Sequence, residues 1–131
     1  MPHAGSKGQV IYGALVGDIR QRATAAAAST AGSLEFGVST IQNSTAVAAA
    51  TYALPTPVVG AQVDLFVAAY STAGTDSLSV TAPSGAKIND GTTPLEDTVS
   101  FDAAGQFVQL RAISATEYVV IGKSTGLTFS T

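Results

Sequence analysis

The residues able to carry acid–base or nucleophilic chemistry are few, and their spacing serves them poorly. His3 is the single histidine of the chain. It stands among small residues with no Ser or Asp held rigidly beside it, as a catalytic triad requires, so it reads as a solvated imidazole. Asp90, Glu96 and Asp97 gather in one acidic stretch. Paired carboxylates cleave glycosides across a cleft walled by aromatic side chains. Here there is no Trp, and several of the four Tyr and five Phe fall at core-facing positions. Loop solvation therefore accounts for the carboxylates better than catalysis does. With Asn89 they also offer hard oxygens, but Ca²⁺ wants about six to eight ligands, and the spacing fits no EF-hand. Pro83-Ser84-Gly85-Ala86-Lys87 lacks the glycine spacing and following helix of a phosphate loop. No catalytic, metal or cofactor residue is assigned, and the chain is expected not to be an enzyme.

Charge narrows the partners. Six basic residues stand against nine acidic ones in 131, a net charge of −3. The basic residues Lys7, Arg20, Arg22, Lys87, Arg111 and Lys123 are scattered. Counterion release on nucleic acid needs them clustered, so no nucleic-acid partner is expected. Ala25 to Ala28 is too short to cross a bilayer, and no membrane partner is expected either. Met1 to Gly8 shows no basic start with an apolar run behind it, which predicts no signal peptide and synthesis in the cytoplasm.

Hydroxyl and small side chains replace the usual Lys and Glu, giving a surface that loses little entropy when immobilised on a partner. An acidic extracellular β domain would share that composition. With no cysteine there is no disulfide or zinc knuckle, so oligomerisation is the expected source of extra stability.

Two parts follow along the chain. Residues 1–33 predict an extended N-terminal arm, with one apolar stretch at Val10-Ile11-Tyr12-Gly13-Ala14-Leu15-Val16. A short helix from an Asp18 cap toward Gly32 is the alternative, with little to bury if it formed. From 34 to 131 the period is two, predicting one β domain. Val63, Leu65, Val67 and Ala69 form the inward set of its strongest strand. Pro83-Ser84-Gly85, Asn89-Asp90-Gly91 and a hairpin at Ala104-Gly105 supply turns. Phe107 to Ile113 and Tyr118 to Ile121 form a strand pair. About seven strands without a core helix predict an all-β fold, an antiparallel β-sandwich or jelly-roll-like barrel. Phe66, Tyr70, Phe107 and Ile113 lie opposite the apparent core of their strands. Either they form a second buried layer or they make a subunit interface.

The series Tyr52-Ala53-Leu54-Pro55, a strand led by Gly60, and Val80-Thr81-Ala82-Pro83-Ser84-Gly85-Ala86-Lys87-Ile88-Asn89-Asp90-Gly91 resembles small β-sandwich domains of tailed-bacteriophage virion proteins. Val108-Gln109-Leu110 and Tyr118-Val119-Val120 continue the likeness, which runs from about Ala46 to Gly126. Tyr118 replaces a common Trp, and Asp90 is inserted into the turn.

Such domains occur in head decoration proteins, head fibres and tail fibres. The resemblance thus implies a homotrimeric structural protein of the virion, and the size of the chain and its arm favour the head. The expectation is a capsid decoration (cement) protein that binds the major capsid protein on the outer surface of the capsid and stabilises the head. A tail, baseplate or fibre module that binds a host receptor or glycan is the alternative. Val10, Ile11, Tyr12 and Leu15 of the arm, with Phe66, Tyr70, Phe107 and Ile113, are the candidate capsid or subunit contacts.

Overall fold

The computed structural model describes residues 19–21, 30–43, 49–72 and 77–131. Among these are eleven strands and no helix: β1 (Ile19–Gln21), β2 (Thr30–Ser33), β3 (Gly37–Gln42), β4 (Ala49–Ala53), β5 (Gln62–Ala69), β6 (Ser77–Thr81), β7 (Lys87–Asn89), β8 (Thr98–Phe101), β9 (Phe107–Ser114), β10 (Glu117–Lys123) and β11 (Thr128–Ser130). Sheet A runs in the order β1-β3-β5-β9-β10-β7, and sheet B in the order β11-β8-β6-β4-β2. The chain is all-β.

Period-two burial explains the two layers. Val63, Leu65 and Val67 of β5 are buried with Val108, Leu110 and Ala112 of β9. From sheet B come Ala50, Tyr52, Leu78, Val80, Val99 and Phe101, all in one core cluster with them. Alternate residues of a pleated strand point to opposite faces, so this inward set dictates which residues must point out. Among the described residues the Ser39 hydroxyl is buried without a hydrogen-bond partner, and the other buried polar side chains are matched. The Tyr118 hydroxyl donates to the Pro55 carbonyl at 2.7 Å, and that of Tyr52 to the Gln42 carbonyl at 3.2 Å. Gln106 accepts from the backbone N–H groups of Asp102 and Ala103 while donating to Asp102 Oδ1 and the Thr125 carbonyl.

From β1 to β8 consecutive strands alternate between the sheets. Crossing to the opposite sheet and back returns the chain in its original direction for β1–β3–β5 and β2–β4–β6, which pair in parallel. For β6 and β8 the return is in the reverse direction, and β7 and β10 also pair in parallel. Only β9 and β10 are joined within one sheet, and there the pairing is antiparallel, as it is for β5–β9, β6–β8 and β8–β11. The sheets are therefore mixed where an antiparallel arrangement was expected. Alternation of apolar residues reports the face of a side chain and carries no information on the direction of the neighbouring strand.

Four local readings change with it. The eleven strands exceed the seven anticipated. In the stretch read as an arm or a short helix, residues 19–21 and 30–33 are strands, paired with β3 and β4. Ala69 is exposed, because a register shift between Ile41 and Gln42 ends the alternation of β5. The Ala104-Gly105 turn links β8 of sheet B to β9 of sheet A and so makes no hairpin. Gly105 takes a positive φ of 87° there and donates its N–H to the Val67 carbonyl. The Pro83-Ser84-Gly85 turn is as read, with Ala86 N–H donating to the Pro83 carbonyl and Gly85 at φ 86°.

Candidate interaction surface

Strands β3, β5 and β9 lie side by side in sheet A, and their outward residues form rows. Thr40, Phe66 and Phe107 are register partners, and so are Val38, Asp64 and Gln109. Phe66 is 45% exposed, Val38 39% and Phe107 37%. Together with Asp64, Leu65 and Gln109 these residues line a shallow groove of about 270 Å³. The Gln109 amide lies over Gly122 of β10, where any Cβ would collide with it.

A polar chain closes one side of the groove. Gln62 Nε2 donates to Asp64 Oδ1 at 2.9 Å, and Arg111 Nη2 donates to Gln62 Oε1 at 2.9 Å. The arrangement can hold an apolar or aromatic group against the two Phe rings, with a carboxylate and an amide at its border to orient polar atoms.

Of the sequence candidates, the structure brings Phe66 and Phe107 into register. Ile113 is exposed on the same face but lies six residues along β9, about 20 Å at strand rise. Tyr70 follows β5 and packs, half-buried, against the core. Val10, Ile11, Tyr12 and Leu15 lie outside the described residues. Among the described residues no second buried layer covers Phe66, Phe107 and Ile113, which face outward and exposed.

Sequence reasoning missed Val38, Asp64 and Gln109. Val38 escapes because β3 carries apolar residues of both parities, Val38 outward and Ile41 inward, with buried Ser39 between them. Only its registry with Asp64, beside Phe66, marks Val38 as part of the groove.

The acidic loop is dispersed among separate partners. Asp90 accepts from Thr92 Oγ1 and Thr92 N–H, and the hydroxyl hydrogen bond above all holds its pKa below the usual carboxylate value. Asp97 pairs with Lys87 at 3.2 Å, and Glu117 accepts from Asn89 at 2.8 Å. Glu96 exchanges backbone hydrogen bonds with Ile88. Among the described residues no three His, Cys, Asp or Glu side chains come together as a metal site. His3 lies outside them.

No family model matches this chain, and no curated protein does.

Proposed function

We propose that the chain is a structural, non-catalytic virion protein: a capsid decoration protein that binds the outer surface of a bacteriophage head as a trimer and stabilises it. The observation that carries the reading is the Phe66–Phe107 pair with Val38, three large apolar side chains presented to water on a rigid sheet. Solvent-facing positions of a sheet ordinarily carry polar residues, and a cluster of apolar ones marks a contact surface. The phage-like succession from Tyr52-Ala53-Leu54-Pro55 to Tyr118-Val119-Val120 supplies the setting, with the major capsid protein as partner. A trimer seats three such surfaces at once, so weak individual contacts act at high effective concentration.

The test is co-sedimentation of the purified full chain with phage heads lacking it, beside sedimentation equilibrium of the chain alone. A trimer that pellets with heads is expected. Phe66→Ser with Phe107→Ser is expected to lower head binding at least about tenfold, the effect of losing about 1.4 kcal/mol. A monomer that never pellets with heads overturns the proposal.

A further inference from the structure

We infer that the groove between Phe66, Phe107 and Val38 receives an arginine side chain presented by the protein's partner, its guanidinium seated on the two rings and paired with the Asp64 carboxylate. The inference deepens the decoration reading, on which the partner's identity rests, while the chemistry of the groove belongs to this chain.

Size sets the class of occupant. At about 270 Å³ the groove is smaller than the roughly 300–1,000 Å³ of sites that enclose a small-molecule ligand, so a single side chain fits it better. Its framework is strand backbone. Phe66 and Phe107 are cross-strand register partners, with Cβ atoms about 5 Å apart. Asp64 precedes Phe66 by two residues on the same face of β5, about 7 Å away. A cation attracted to a ring lies within about 6 Å of its centroid, so one cation can meet both rings and the carboxylate together.

Charge decides what fills it. Among the described residues Asp64 is the one charged side chain lining the groove. Its Oδ1 accepts from Gln62 Nε2, and among those same residues Oδ2 has no donor and no cation pairs with the carboxylate. Arg111 stops one residue short, at Gln62 Oε1. Lys87 is paired with Asp97, and Lys123 lies over the Phe129 ring at 5.2 Å, so each is engaged elsewhere. A neutral apolar occupant would cover the rings but strip water from an uncompensated carboxylate, which is costly. Arginine suits the place better than lysine. Its planar guanidinium stacks on aromatic faces and forms two parallel hydrogen bonds to a carboxylate, while its methylene stem packs on Val38.

The probe is N-acetyl-arginine methylamide, with N-acetyl-citrulline methylamide as its uncharged near-isostere, each titrated into the isotope-labelled full chain at low salt. Backbone amide NMR shifts of Asp64, Phe66, Phe107 and Gln109 report the groove, and the rest of the spectrum reports the fold of each variant. The arginine compound is expected to bind at least about threefold more tightly than the citrulline one. Asp64→Asn should remove that preference. Phe66→Leu with Phe107→Leu should weaken arginine binding while keeping the groove apolar. Equal affinity for the two compounds, or no shift at the groove residues, overturns the inference. Head co-sedimentation separates this result from the decoration reading. There Asp64→Asn is expected to lower binding several-fold and to reduce its salt dependence. Attachment that Phe66→Ser with Phe107→Ser lowers but Asp64→Asn leaves unchanged overturns the arginine and spares the reading. A chain that prefers arginine yet never pellets with heads overturns the reading and keeps the groove chemistry.

Discussion

On the outer face of sheet B the registered rows read Thr51, Ser79, Ser100, Thr128 and Ala53, Thr81, Thr98, Ser130. On the outer face of sheet A they read Thr40, Phe66, Phe107 and Val38, Asp64, Gln109, Gly122. The inner faces of the two sheets are alike, both apolar and buried in one cluster. Burial cannot explain the outer difference. Sheet B satisfies strand propensity with hydroxyl residues that bond one another, Thr51 to Ser79 at 3.2 Å and Thr81 to Thr98 at 3.3 Å. Sheet A instead leaves Phe and Val in water. Folding needs only one apolar face per sheet, so the second apolar surface of sheet A answers to something outside this core.

If the inner faces are equivalent, Leu65→Ala in sheet A and Leu78→Ala in sheet B, both fully buried, should destabilise alike, by about 3 kcal/mol each in urea denaturation. A much smaller cost in one sheet would show that the two do not share the core equally.

Next in size is the tie between the sheets through Tyr118, which reaches from β10 to the Pro55 carbonyl just after β4. Burial pushes its phenol up to about 12, against about 10 when unfolded. The neutral phenol is favoured in the fold. Its contribution is therefore full below pH 10 and is lost as pH rises through 12, on the order of 2–3 kcal/mol. Tyr118→Phe should flatten that part of the stability–pH curve, and an unchanged slope would remove the tie.

The smallest effect is expected on the outer face of sheet B. Thr51→Val with Ser79→Ala should shift stability by no more than about 0.5 kcal/mol, since a surface hydroxyl pair contributes little. A larger loss would mean that the hydroxyl rows hold the sheet together.

Much of this was legible in the residues. The inward sets Val63-Leu65-Val67 and Val108-Leu110-Ala112, the turn at Pro83-Ser84-Gly85 and the β9–β10 pairing all follow from period and turn chemistry, which are local. The outward placement of Phe66 and Phe107 follows from the same period. Ala69 was misread because a register shift depends on the partner strand. Tyr70 was misread because it lies past the end of β5, where pleat parity no longer applies.

By itself the sequence determined the all-β class, the main core residues and the scarcity of catalytic side chains, because strand period, turn residues and composition act over a few neighbours. Only the tertiary structure decided that strands alternate between sheets and pair in parallel, that Val38, Asp64 and Gln109 join the two Phe rings, and that the acidic loop disperses to separate partners. Those outcomes depend on which strand lies beside which, and the side-chain pattern of a strand carries its face but not its neighbour.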